Sequence, residues 1–119
     1  TIVLEKSNNL APNISAGLDT IGIRIPNSDF IRNLIRKLGS PITGTSANLS
    51  GRMPATSPKE IELSLSRNLD FVYKDSTTPG GLPSTILDLS TRPARILRDG
   101  AIKKSELKSI FKLHKLDLI

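Results

Sequence analysis

Residues 20 to 39 constrain this chain most, because the hydrophobic period changes there across a proline. Thr20, Gly22 and Arg24 alternate with Ile21, Ile23 and Ile25. A period of two over six residues is the pattern of a half-buried strand. Pro26 ends it, since proline has no N–H for a sheet ladder. Beyond Ser28, a capping residue, Phe30, Ile31, Leu34, Ile35 and Leu38 recur at steps of one, three, one and three. These steps place the five side chains on one helix face. Arg32, Arg36 and Lys37 fall on or beside the opposite face, and Gly39 is a natural C-terminal stop. A strand that hands over directly to an amphipathic helix points to an α/β or α+β arrangement.

The rest of the chain extends this reading. Short apolar strand candidates occupy residues 1–6, 41–45, 70–74, 84–89 and 94–98. Residues 7–17 and 45–56 are polar and rich in turn formers, and residues 77–83 contain Pro79-Gly80-Gly81. Ser57-Pro58-Lys59-Glu60 combines a capping serine, proline at the first helical position and glutamate three residues after the cap. Ile61, Leu65 and Leu69 follow at four-residue spacing. A last helix begins near Lys103 with Leu107, Ile110 and Phe111 inward. Several neighbouring strands late in the chain suggest a twisted mixed β-sheet with flanking helices. The 119 residues fit one domain, 1–119. An open strand edge at Thr1 would be a liability unless another segment covered it.

Composition narrows the chemistry. The chain has no cysteine, which removes disulfides, thiolate metal sites and thiol nucleophiles. This fits a cytoplasmic protein. The sole histidine, His114, argues against a Ser-His-Asp machine or a multi-histidine metal site. No apolar run approaches a membrane span. Seventeen Lys and Arg against 11 Asp and Glu leave a formal charge of +6, which suggests an anionic partner such as a nucleotide or RNA. The chain opens with Thr1 rather than methionine, as a processed or shortened chain would.

Four places could carry chemistry. Residues 43–51 (Thr-Gly-Thr-Ser-Ala-Asn-Leu-Ser-Gly) hold five hydroxyl or amide side chains and two glycines. Such a loop can cradle phosphate with N–H and O–H donors, although composition alone favours an ordinary polar turn. Arg24, before Pro26, can clamp a carboxylate through both guanidinium donors, or be a solvated edge residue. Arg98 holds the corresponding place on the late strand and could face a phosphate, or pair with Asp99. Ser84 could bind a ligand or cap the turn before its strand.

Taken in order, Thr20-Ile21-Gly22-Ile23-Arg24-Ile25-Pro26, Thr45-Ser46-Ala47-Asn48-Leu49-Ser50-Gly51, Gly81-Leu82-Pro83-Ser84-Thr85-Ile86-Leu87-Asp88 and Ile96-Leu97-Arg98-Asp99-Gly100 resemble the YrdC family of threonylcarbamoyl-AMP synthases. The resemblance implies an open sheet around a concave basic cleft. It covers the chain from Thr1 to the last helix and corresponds to the C-terminal half, or slightly more, of the catalytic domain. In the family a Pro-Gly-Pro turn and a Lys-x-Arg phosphate-binding motif come earlier, so the N-terminal part is expected to be missing.

The resemblance implies an L-threonylcarbamoyladenylate synthase component, a nucleotidyltransferase. L-threonine, bicarbonate and ATP yield threonylcarbamoyl-AMP and pyrophosphate, the first step of t6A modification of tRNA. It implies ATP contacts at Thr20, Ser46, Asn48 and Arg98, and threonine contacts at Arg24, Gly44 and Ser84. Mg2+ would accompany the ATP, held by phosphate oxygens and water. Pro54 stands where many relatives carry a nucleotide-site serine, and proline donates no hydrogen bond there. Without Lys-x-Arg the chain alone is expected to be inactive. The alternatives are a non-catalytic module that binds RNA or a nucleotide, and a half-protein that folds only against its missing N-terminal half or a second chain. Arg24, Ser46 and Arg98 are expected to converge on one hollow.

Overall fold

The computed structural model describes residues 1–49, 51, 55, 57–65, 68–73 and 82–119. The chain divides into two compact units, one of residues 1–33 and 82–119, the other of residues 34–81. The first unit carries the sheet. Its strands are β1 (Ile2–Glu5), β2 (Thr20–Ile23), β3 (Ile86–Asp88) and β4 (Arg95–Arg98). They are ordered β2-β1-β3-β4. β2 runs antiparallel to β1, β1 parallel to β3, and β3 antiparallel to β4. The sheet is therefore mixed, as the pattern of strands suggests.

Its two faces differ. Leu87 on β3 and Ile96 on β4 are partners, and they face α3 (Lys104–Leu113). There Leu87, Ala94, Leu107 and Phe111 form the core, with Ile96 and Leu118 packed against it. Ile110 is 53% exposed rather than inward, because it sits about 100° around the helix from Phe111. The same sheet face continues over β1 and β2 as Ile2, Leu4 and Ile23, all exposed.

Between β1 and β2 a 3₁₀ turn (Pro12–Ser15) ends at Ala16, and Lys6 N–H donates to Asp19 O at 2.7 Å. After β4 the chain is pinned at Gly100. A Cβ there would overlap Pro83 O, Thr85 N and Ser84 C, so only glycine allows the two segments to touch. Ala101 N–H donates to Pro83 O at 3.0 Å. Buried Thr85 takes a bond from Ile102 N–H (3.0 Å) and gives one to Ile102 O (2.7 Å).

The division between the units falls inside α1 (Asp29–Leu38). Its expected start and stop are present. Ser28 Oγ accepts the Ile31 N–H at 3.4 Å, and Gly39 closes the helix with φ 68° and its N–H on Ile35 O. None of its residues is buried.

In the second unit α2 (Pro58–Leu65) starts as its sequence predicts, with Ser57 Oγ accepting the Glu60 N–H. Leu69 lies past the described helix. Among the described residues two expected strands are absent. Residues 41–45 and 70–73 are irregular, and Lys74 lies outside the described residues. Ile42, Phe71 and Tyr73 are exposed, so among the described residues no neighbouring strand or layer rewards an extended conformation there. Ser50, Pro54 and residues 77–81 also lie outside the described residues.

Candidate functional site

Strand register brings two arginines to one end of the sheet. Ile23 is opposite Ile2, so Arg24, one residue on, comes level with Thr1. Thr1 N–H donates to Thr85 O (2.9 Å), Leu87 N–H to Thr1 O (3.0 Å), and Ile86 is opposite Arg98. Arg24, Thr1, Ile86 and Arg98 thus form a row across four strands. Opposed residues share a sheet face, so both arginines stand on the face away from α3. Three strand spacings separate their backbones by about 14 Å.

A bulge aims Arg98. The pairing steps from Ile86–Arg98 to Leu87–Ile96, leaving Leu97 as an extra residue in β4. Strict alternation would put Arg98 on the same face as Ile96, over the core. The inserted residue turns it to the other face, a common use of bulges. Its Nε and Nη2 then grip Ser84 O at 3.0 and 2.8 Å.

The electrostatics of this end are cationic. Neither Arg24 nor Arg98 pairs with a carboxylate among the described residues. Burial lowers the affinity of the Thr1 amino group for its proton, and the fields of Arg24 and Arg98 lower it further. The excess positive potential at this point suits a carboxylate or phosphate. Farther along the same face, buried Asp88 accepts from Ser90 N–H (2.9 Å) and Ser90 Oγ–H (2.6 Å), and Arg95 lies at 3.4 Å. Those bonds outweigh desolvation and hold the Asp88 carboxyl below its usual range. Asp88 is already satisfied within the fold and acts as a structural anion.

The other expected contacts are distributed as follows. Ser84 is half-buried, two residues before β3, and its carbonyl accepts from Arg98. Thr20 pairs with Glu5 at the far end of β2 from Arg24, four residues or about 14 Å along the strand. Gly44, Ser46 and Asn48 belong to the second unit. Gly44 has open space around its α-carbon, so a ligand can approach its backbone. Asn48 N–H donates to Ser46 O (3.1 Å), and its Nδ2 donates to Leu49 O (3.0 Å). Sequence reasoning did not single out Thr85 or the contact at Gly100, which fix Ser84 and the turn after Arg98. The proximity of Ser84-Thr85 to a glycine is visible only once β3 and β4 are paired.

Among the described residues no three His, Cys, Asp or Glu come together to hold a metal. No described helix is long and apolar enough to cross a membrane.

An open four-stranded mixed sheet with flanking helices defines an α/β domain, and its kinship is specific. A family model for Sua5, YciO and YrdC, described as "Telomere recombination", matches residues 1–100, and the chain belongs to that family. It is 32% identical over 111 residues to the threonylcarbamoyl-AMP synthase of Bacillus subtilis, covering 92% of this chain and 32% of that one. It is 36% identical over 107 residues to a putative threonylcarbamoyl-AMP synthase of Methanocaldococcus jannaschii, covering 90% and 49%. Among solved structures, Pyrococcus abyssi Sua5 complexed with L-threonine superposes with a TM-score of 0.86 at 28% identity, over 99% of this chain and 34% of that one. Escherichia coli YciO gives 0.74 at 25% identity, over 86% and 50%. The chain spans a third to a half of the length of the curated relatives it matches.

Proposed function

We propose that this chain is part of an L-threonylcarbamoyladenylate synthase, holding threonine at Arg24 and the nucleotide at Arg98. The observation that carries this reading is the row placing both arginines on one face and one end of the sheet, with no carboxylate paired to either. Two arginines about 14 Å apart suit a reaction with two anionic reactants, an amino-acid carboxylate and a triphosphate. The L-threonine bound by a Sua5 relative supports the choice of amino acid.

In this reading the threonine amine takes up carbon from bicarbonate, releasing water and forming an N-carboxylate. An oxygen of that carbamate attacks the α-phosphorus of ATP. The bond from that phosphorus to the bridging oxygen of the β-phosphate breaks, and pyrophosphate leaves with its electron pair. The protein needs no covalent group for this. It needs orientation and positive charge where the pyrophosphate departs. Arg24 would grip the threonine carboxylate, and the family resemblance assigns further threonine contacts to Ser84 and the Gly44 backbone. Arg98 would meet the nucleotide, with Ser46, Asn48 and Thr20 as further contacts. Magnesium would enter with ATP, since phosphate oxygens and water can supply its ligands. The product would feed t6A modification of tRNA.

The sequence contains no Lys-x-Arg tripeptide, so the 119-residue chain is expected to release little or no pyrophosphate from ATP, threonine and bicarbonate. Rapid threonine-dependent release would refute that. The binding roles are tested by calorimetric titration of L-threonine and ATP into the chain and its Arg24→Ala variant. Loss of one charged partner costs about 2–5 kcal/mol, so threonine binding should disappear while the nucleotide is still bound. Equal threonine affinity in the variant would remove Arg24 from the site.

A further inference from the structure

Arg95, an exposed cation on β4, has no role in the reaction described above. Ile86 and Asp88 stand two residues apart on β3 and so share a face, and their partners on β4 are Arg98 and Arg95. Arg95 is therefore on the same face as Arg98 and Arg24, one row in from the end of the sheet. Its backbone is about 7 Å from that of Arg98, against about 14 Å between Arg98 and Arg24. Level with Asp88 and Arg95 on the other two strands are Val3 and Gly22. Gly22 has no side chain, and a Cβ there would meet only the Thr1 methyl within 4 Å. The row that carries Arg95 thus holds nothing bulky on β2.

Arg95 is braced by a carboxylate that is itself fixed. Its Nη2 meets Asp88 Oδ2 at 3.4 Å, while Asp88 Oδ1 accepts two bonds from Ser90. The Asp88 side chain is 8% exposed and that of Arg95 51%, so a ligand on this face meets the guanidinium rather than the carboxylate. A single contact of that length to a half-exposed arginine adds little to stability. The Nε and Nη1 of Arg95 make no hydrogen bond among the described residues. Arg98 has less to offer. Its Nε–Nη2 edge, which could take two oxygens of one anion, is occupied by Ser84 O. A chain of several phosphates calls for more than the outer Nη hydrogens that remain.

We propose, resting on the reading that Arg98 meets the nucleotide, that Arg95 binds the pyrophosphate end of that nucleotide, with Asp88 as the positioning residue that aims it. The reacting phosphorus has to lie between the threonine at Arg24 and the nucleotide at Arg98, along the end row. Arg95 stands off that row, on the strand of Arg98 and away from Arg24. It therefore faces a part of the nucleotide turned away from threonine, and a guanidinium with open donors suits the anionic phosphates rather than the nucleoside. A cation held there also puts positive charge where the leaving group gathers electrons.

The test is calorimetric titration of ATP and of AMP, each with Mg2+, into the chain and its Arg95→Gln, Arg98→Gln and Lys108→Gln variants. Loss of a charge-assisted hydrogen bond at Arg95 should weaken ATP about tenfold or more and leave AMP within about twofold. Arg98→Gln should weaken both nucleotides. Lys108→Gln removes one charge from α3, on the other side of the sheet, and should change neither. Asp88→Asn should weaken ATP in the parent and add nothing to Arg95→Gln. If Arg98→Gln acts as expected, an unchanged ATP affinity in Arg95→Gln, equal losses of ATP and AMP, or an equal loss of ATP in Lys108→Gln would overturn the role of Arg95 and leave the nucleotide reading standing. No effect of Arg98→Gln on either nucleotide would overturn both. Additive losses from Asp88→Asn and Arg95→Gln would remove Asp88 as the positioning residue.

Discussion

In the first unit Arg24, Ser84 and Arg98 are placed by strand register, whereas in the second Gly44, Ser46 and Asn48 sit on a segment outside any strand or helix. The difference is one of mechanism. A ladder fixes each residue through bonds made by its neighbours, so Arg24 comes level with Arg98 although 74 positions separate them. The segment around Asn48 is held by short local bonds, such as Asn48 N–H to Ser46 O and Ala55 N–H to Ala47 O. Cations that must be spaced for two reactants gain from a rigid frame. Amide and hydroxyl groups that wrap a nucleotide can sit on a connecting segment and close on it.

This contrast can be broken or sharpened by substitution. The largest effect should come from Phe111→Ala, which empties the core behind the sheet. A loss of about 3–5 kcal/mol is expected in urea unfolding followed by circular dichroism. Gly100→Ala comes next, because the added methyl meets backbone rather than a movable side chain, and about 1–3 kcal/mol should be lost. A fully stable variant would show that β4 and residues 83–85 separate freely. Thr85→Val keeps the shape but strands the Ile102 N–H and C=O, for about 1–3 kcal/mol. In the second unit Ser57→Ala removes only a helix cap, and about 1 kcal/mol should be lost. A larger effect there than at Gly100 would reverse the ranking of the two units.

The smallest effect is a pH dependence. Asp88 has a folded pKa below its unfolded one, so its contribution is complete above the ordinary carboxylate range and is lost as pH falls through the folded value. The urea midpoint of the parent should fall more steeply below about pH 4 than that of Asp88→Asn.

Much of this was legible in the residues. The switch of period at Pro26 marked β2 and α1, and the caps at Ser28, Ser57 and Gly39 marked helix ends through purely local bonds. The strands expected at 41–45 and 70–74 illustrate the limit. Ile42 and Phe71-Val72-Tyr73 have strand-like side chains, but a strand exists only where another offers hydrogen bonds, and periodicity is blind to that. The candidate site divides in the same way. Arg24 and Arg98 stand in the sequence as strand-end cations, yet their shared face depends on an extra residue at Leu97, which no alternation pattern announces.

The parallel pair β1–β3 joins Ile2 to Leu87. During translation this pairing therefore waits until the ribosome has made more than eighty further residues, about 4–17 s at ordinary elongation rates. For that interval the edge of β1 that β3 will cover has its backbone N–H and C=O groups open to other chains, a hazard of the nascent protein that vanishes once β3 docks.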